Sequence, residues 1–422
     1  MTNMDCAADV ALLQKTRGRY KEGRSPENLA PQVQAFTVDP ILRRGNDDKM
    51  VIVVPMGYRD GLLTNFIEVG EPPELFEVTL DTGNGLAWVP STKCTSQNCE
   101  GQKLYDPSES ETALALNHKP LELKYEDGKC ATVDLYSESI GLYNDNMDAF
   151  TDLSLGAGYK IEGYDDVDGY LGTLGFGGPG GLNVTNYLRK RALDQLFRRG
   201  LAKRSIVSQV GGNAGQMGVR TGNQGRYHPD TKKKRDNDEY AAYCIIGGID
   251  PNLIEGDPVY VPLPSAEECG EERFWKLSFD SVTFGNTHID ISEGSYAQFY
   301  SSSRYIHAPK QSSKALHEQI GATFNTDSGF YELPCASMQD VPDLQFTFGS
   351  QNTASLKPID WIFPISEGSE TCRSFVKHVT VDTNNWLLGT AFTNPYYMVY
   401  DYTNEQIGFA HNKGEEVTAT FS

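Results

Sequence analysis

The stretch Phe76 to Pro90, reading Phe-Glu-Val-Thr-Leu-Asp-Thr-Gly-Asn-Gly-Leu-Ala-Trp-Val-Pro, constrains this chain more than any other. Phe76, Val78 and Leu80 alternate with polar residues, the pattern of a half-buried strand with one face on a core. That strand runs straight into Asp81-Thr82-Gly83. A carboxylate at the end of an apolar strand, followed by a small residue and a glycine, is held on a tight turn facing a cleft, a placement that suits acid-base chemistry. Asp and Gly are also common in plain strand exits, so the tripeptide alone leaves both readings open. With 41 glycines, 21 prolines and few long helical periodicities, the chain predicts many turns and an all-β architecture. Its 422 residues exceed what one core usually organises, so two or more domains are expected.

After Asp81 come Trp88-Val89-Pro90-Ser91, then Cys94 and Cys99, then Leu104-Tyr105-Asp106-Pro107-Ser108. In this order these motifs resemble the N-terminal lobe of the pepsin family of aspartic proteases. Further on, Leu121 to Gly128 resembles the family's flap hairpin, with Tyr125 at the flap tyrosine, and Asp168 to Phe176 resembles its Asp-Gly-Ile-Leu-Gly-Leu run. In the second half, Cys244 to Pro251, Phe274 to Val282, Trp386 to Gly389, Tyr396 to Asp401 and Ile407 to Ala410 match strands of the C-terminal lobe. The resemblance covers about residues 50 to 412. It implies a bilobal all-β fold, two β-barrel-like lobes with an interlobe cleft, and disulfides Cys94–Cys99 and Cys335–Cys372. It also implies substrate contacts at Gly83, Tyr125, Gly128, Ser301 and Ser303. The expected organisation is a prosegment-like extension over 1–50, then an N-terminal lobe over 51–210 carrying Asp81 and the flap. A polar insertion follows over 211–240, then a C-terminal lobe over 241–422.

The family's chemistry needs two carboxyls sharing one proton, one from each lobe. Asp81 is the first. For the second, Asp327-Ser328-Gly329 lacks an apolar strand to deliver it, and Asp382-Thr383 is followed by Asn384 rather than glycine; both read as decoys. Ala297 to Pro309 lies without gaps over the family's Ala-Ile-Val-Asp-Thr-Gly-Thr-Ser-Leu-Leu-Thr-Gly-Pro. That register puts Tyr300 where the aspartate belongs, Ser301 for the threonine and Ser302 for the glycine. A phenol, with a pKa near 10, cannot share an acidic proton as a carboxyl does, although it could donate a hydrogen bond to Asp81. Thr390 and Asn84 are further departures near the cleft. Three functions follow as expectations. The first is a pepsin-fold protein with impaired or absent endopeptidase activity that binds a peptide or other extended ligand in the cleft. The second is a repurposed enzyme using Asp81 and Tyr300 on a non-peptide substrate, with Tyr125, Cys130 and His307 as cleft neighbours. The third is an active aspartic endopeptidase.

The formal charge of −20 argues against nucleic acid or an anionic membrane as partner. No apolar run reaches the roughly 18 residues of a membrane span. The seven histidines lack His-x-x-x-His spacing, no Gly-x-Ser-x-Gly elbow exists, and the Gly175 to Gly181 cluster lacks the Lys-Ser/Thr of a phosphate loop. No metal or cofactor is expected, and the protein is read as a monomer. Cysteine pairs favour the secretory pathway, whereas no signal peptide is visible in the first twenty residues, so the compartment stays open. Cys6, Cys130, Cys244 and Cys269 could pair in three ways or stay as thiols. Asn183 heads the one glycosylation sequon, and Tyr187 to Gly200 predicts an amphipathic helix.

Overall fold

The computed structural model describes residues 41–44, 50–59, 62–116, 119–125, 127–142, 150–164, 171–177, 206–211, 242–246, 248–265, 275–349, 351–366, 368–379, 383–413 and 419–421. The fold is strand-dominated, all-β and bilobal, as the patterning anticipates. Among the described residues the strands form three sheets. The largest begins in the second half with Ile254–Pro262 and Gln406–Asn412. It passes through Tyr396–Asp401, Ile206–Gly211, Ala242–Ile246 and Met50–Arg59, and continues into the first-half strands. It therefore joins both halves. The expected helix over Tyr187 to Gly200, the sequon at Asn183 and the polar insertion lie outside the described residues, as do Asp168 to Tyr170 and Asp382. No described helix is long and apolar enough to cross a membrane.

Two sets of three strands carry the turns of interest, and they repeat one plan. In the first half Glu74–Asp81 runs parallel to Thr173–Gly175, with Asp81 opposite Gly175, and Thr173–Gly175 runs antiparallel to Ala87–Pro90. In the second half Tyr296–Phe299 runs parallel to Trp386–Leu388, with Phe299 opposite Leu388, and Trp386–Leu388 runs antiparallel to Ile306–Ala308. Each set thus sends a strand into a turn, returns it, and threads a third strand between the two. The first arrangement ends on Asp81, and the second exits through Tyr300.

The cores explain why these turns are rigid. Phe76, Val78 and Leu80 are all buried, and they pack with Leu63, Ile67, Ala87 and Val89. Ala297 and Phe299 are buried with Trp275, Leu388, Phe346 and Phe392. At about 25 cal/mol per Å² of apolar area removed from water, each such side chain is worth about 1.5–3 kcal/mol, so the strand ends are fixed before the turns begin. Cys94–Cys99 and Cys335–Cys372 are disulfides, and Cys130 and Cys244 are thiols. Cys6 and Cys269 lie outside the described residues. A ten-residue helix, Lys310–Gln319, follows directly on Pro309.

Candidate functional site

The two turns interlock. Thr82 Oγ1 donates to the Phe299 carbonyl at 2.8 Å and accepts the Ser301 amide at 3.0 Å. Reciprocally, Ser301 Oγ donates to the Leu80 carbonyl at 2.6 Å and accepts the Thr82 amide at 3.0 Å. Both hydroxyls are buried and both are satisfied as donor and acceptor, which a small β-hydroxy residue at each position makes possible. The exchange has approximate twofold character, and it relates residue 81 to residue 300. Tyr300 therefore stands in the position that mirrors Asp81.

Asp81 is fully buried. Its Oδ1 accepts the Gly83 amide at 2.8 Å and the Ser302 hydroxyl at 3.0 Å, while its Oδ2 is buried without a hydrogen-bond partner. Ser302, standing where a glycine was expected, thus supplies the hydroxyl that Asp81 receives. The Tyr300 phenol makes no hydrogen bond to Asp81, contrary to the sequence expectation that it could. Burial dominates the electrostatics and pushes the Asp81 carboxyl up to about 7, against the two hydrogen bonds, which favour its charged form. Asp127 adds to the rise, and Lys129 opposes it.

Instead of bonding to the carboxyl, the Tyr300 ring lies on the turn. A Cβ placed on Gly83 would meet Tyr300 Cδ2 at 2.3 Å and Cε2 at 2.5 Å, and Asp81 Oδ1 at 3.2 Å, so glycine is the residue that lets the ring settle there. Tyr300 is itself buried, which lifts its phenol well above the ordinary value; the negative charges of Asp127 and Asp81 add to the effect. Around it pack Tyr125, Trp88, Leu171, Val379 and Leu387, an apolar group drawn from both halves. The Tyr125 and Tyr300 rings are 5.9 Å apart.

Tyr125 directly follows the strand Leu121–Lys124, which pairs antiparallel with Cys130–Leu142 to make a hairpin over Asp81. Its amide bonds to the Lys129 carbonyl at 3.0 Å, and its own carbonyl accepts the Gly128 amide at 3.0 Å. Gly128 has φ +92°, which a side chain would resist, so this turn calls for glycine. The Tyr125 hydroxyl accepts from Asn84 Nδ2 at 3.0 Å and from Trp88 Nε1 at 3.2 Å. Asn84 Oδ1 in turn takes the Leu86 amide, which fixes the amide's orientation.

The structure thus gathers Asp81, Gly83, Tyr125, Tyr300 and Ser301 at one place, and sets Gly128 in the hairpin turn above it. Ser303 faces elsewhere. Its hydroxyl is 2.8 Å from His307 Nε2, and both are buried. Asp327 sits exposed in the turn between Thr323–Asn325 and Phe330–Pro334. Thr390 is buried and gives its amide to the Ser303 carbonyl at 2.8 Å. Sequence reasoning passed over Asp127, Lys129 and Tyr164, all close to this site; two charges at the tip of the hairpin were the available signal. No group of three or more His, Cys, Asp or Glu residues capable of holding a metal occurs among the described residues.

The model of the family described as eukaryotic aspartyl protease matches residues 64–208 and 233–412. Pepsin A-5 of Mus musculus is 27% identical over 362 residues, 84% of this chain and 82% of that protein. Cathepsin E of Mus musculus is 26% identical over 364 residues, 84% of this chain and 81% of its own length. Pepsin A of Suncus murinus is 25% identical over 419 residues, 96% of each. The matched residues carry the Asp81 turn, the hairpin and the Tyr300 turn alike, and the chain belongs to the eukaryotic aspartyl protease family.

Proposed function

We propose that this protein keeps the aspartic protease scaffold without ordinary peptide hydrolysis, and that its interlobe cleft serves to hold a peptide or another extended ligand. The observation that carries this reading is the Tyr300 ring seated against the Asp81–Gly83 turn, in the place that mirrors Asp81. Hydrolysis by a shared-proton pair needs one carboxylate to take a proton from water and a second group to hand one to the carbonyl. Below about pH 7 the Asp81 carboxyl is mostly neutral and is a poor base. At pH 4 only about one molecule in a thousand would carry the charge, given that value. Above it the carboxylate exists, but the facing phenol, held well above its ordinary pKa, is a far weaker acid than a carboxyl. Loss of one acid-base partner commonly removes a factor of about 10² to 10⁴, and partners that act as a unit lose more.

One observation favours a second reading, in which the site is a repurposed enzyme acting on a non-peptide substrate. A carboxyl at about 7, with one oxygen unbonded, is tuned for general acid-base work near neutrality. The buried, aromatic-packed state of both groups weighs against it, because no reacting atom has room beside Asp81 while Tyr300 lies across the turn.

The test is digestion of a denatured protein at about pH 3 to 5, and again near pH 7, with the wild type, Asp81→Asn and Tyr300→Asp. The expected result is no cleavage by the wild type and measurable acid cleavage by Tyr300→Asp. Robust wild-type cleavage abolished by Asp81→Asn would overturn the proposal in favour of a working endopeptidase. A small metabolite retained by the native protein in mass spectrometry, and lost in Asp81→Asn, would favour the repurposed enzyme.

A further inference from the structure

The hairpin over Asp81 reaches the opposite half through the Tyr125–Tyr300 ring contact and through a lysine. Lys129 Nζ donates to the Ser302 carbonyl at 3.3 Å, a contact spanning 173 residues of sequence. The same ammonium stands 3.1 Å from Asp127 Oδ2 and 5.5 Å over the Tyr164 ring. Asp127 Oδ1 also accepts the Lys129 amide at 3.2 Å, so carboxylate and lysine are oriented by one turn. This is not a surface ion pair: the two side chains are 13% and 4% exposed. Charges so far from water attract each other much more strongly than at the surface, and either one left alone would be costly.

We infer that Lys129 is a bolt that holds the hairpin shut over the Asp81–Tyr300 turns, so that the cleft admits a ligand only when the Lys129–Ser302 contact breaks. Three features combine in this. The bolt spans the two halves, whereas the Tyr125–Tyr300 ring contact beside it is apolar and not directional. Its carbonyl partner belongs to the residue whose hydroxyl bonds Asp81, so opening the hairpin disturbs the carboxyl's surroundings directly. And the Asp127 carboxylate keeps the ammonium paired whether or not Ser302 is engaged, so release costs one charge-assisted hydrogen bond rather than a bare buried charge. A device of this strength is reversible: it sets the open population rather than forbidding it.

The inference rests on taking the cleft as the ligand site, but its test needs neither ligand nor catalysis, so it can fail while the proposed function stands. The full-length protein is treated with tetranitromethane, and nitrated tyrosines are mapped by peptide mass spectrometry. Tyr125 and Tyr300, 9% and 3% exposed, report the open hairpin, and Tyr396, at 0% in the second core, is the control. Lys129→Met keeps the stem over Tyr164 and removes the donor. It should nitrate Tyr125 and Tyr300 at least about tenfold faster than the wild type, the population change expected for one charge-assisted hydrogen bond before the cost of the Asp127 carboxylate left buried without this ammonium is added, with Tyr396 unchanged. Asp127→Asn, which keeps the ammonium and removes this carboxylate, is read by the same criterion and should accelerate both sites less. Equal rates in wild type and variants would overturn the bolt. Acceleration of Tyr396 together with the other two would also overturn it, because the lysine would then support the whole fold rather than one moving part.

Discussion

Replacing Asp81 by asparagine should make the protein more stable in alkali and less stable in acid. Burial raises the Asp81 carboxyl from its ordinary 3.8 to about 7, so the folded state holds the proton where the unfolded chain releases it. For a group raised in this way the stabilisation is complete below about pH 4 and is lost as pH climbs through 7. At about 1.4 kcal/mol for each pH unit, the loss is about 4 kcal/mol across that window. Asparagine keeps an oxygen to accept from the Gly83 amide and the Ser302 hydroxyl. It also sets an amide nitrogen where Oδ2 is now buried without a partner, which costs about 1–3 kcal/mol.

The two effects oppose each other at high pH and not at low pH. Near pH 4 the variant should therefore be about 1–3 kcal/mol less stable than the wild type, and near pH 8 about 1–3 kcal/mol more stable. Equilibrium unfolding in urea at steps between about pH 4 and 8 measures both, with the variant-minus-wild-type difference cancelling every other titrating group. The difference should cross zero between about pH 4.5 and 6. A difference that stays constant across the range would mean that Asp81 does not titrate from a raised value, and the account of the site as neutral in acid would fail with it.

Two further perturbations follow from packing and from a second buried group. Gly83→Ala should cost about 1–3 kcal/mol by driving a methyl into the Tyr300 ring, and Tyr300→Ala about 3–5 kcal/mol by opening a cavity. The double variant should cost at least about 1 kcal/mol less than the sum in denaturant unfolding, and simple additivity would show that the ring does not cover the turn. His317, fully buried, has Nδ1 2.6 Å from the Ser313 carbonyl and Nε2 2.8 Å from Ser374 Oγ, and it stacks on Tyr331 with ring centroids 3.7 Å apart. Burial lowers it from 6.5 to about 4, so the unfolded chain takes the proton first, and the stability present above pH 6.5 is lost as pH falls towards 4, by about 3 kcal/mol. His317→Gln should flatten that acid limb, and a limb of unchanged steepness would refute the assignment.

What the sequence made legible was whatever is local. The alternation of Phe76, Val78 and Leu80 is a two-residue period, readable without knowing any neighbour, and it leads to a buried strand ending at a buried carboxyl. The ungapped run from Ala297 to Pro309 fixed the register that sets Tyr300 opposite Asp81, and the strand pairings of both halves repeat that register independently. The cysteine pairs came with the family resemblance, and the structure contains both disulfides. The helix Lys310–Gln319 was not anticipated, because Ala315 and Leu316 are its only apolar residues and give no helical stripe. Long-range choices were illegible for a deeper reason. That the Tyr300 ring would fold onto Gly83, that Ser302 rather than the phenol would reach Asp81, and that Lys129 would find the Ser302 carbonyl all depend on how two halves dock. No window of one half encodes that geometry.

That docking explains how the scaffold can carry Tyr300 in the place that mirrors Asp81. Four of the hydrogen bonds that tie the two turns belong to Thr82 and Ser301, and none of these four uses the side chain of residue 81 or 300. A change at position 300 therefore leaves the joint intact, provided the new side chain can be packed. Tyr300 satisfies that condition through Gly83 beneath it and Tyr125, Val379 and Leu387 around it. The Asp81 carboxyl receives a donor from the serine at 302, a position from which a glycine could not supply one. The buried groups also act against each other over one pH window. Between about pH 4 and 6.5 a rise in pH restores the stability that His317 withholds and removes what the neutral Asp81 supplies, each at about 1.4 kcal/mol per unit, so the two contributions largely cancel and each shows itself only when the other is replaced.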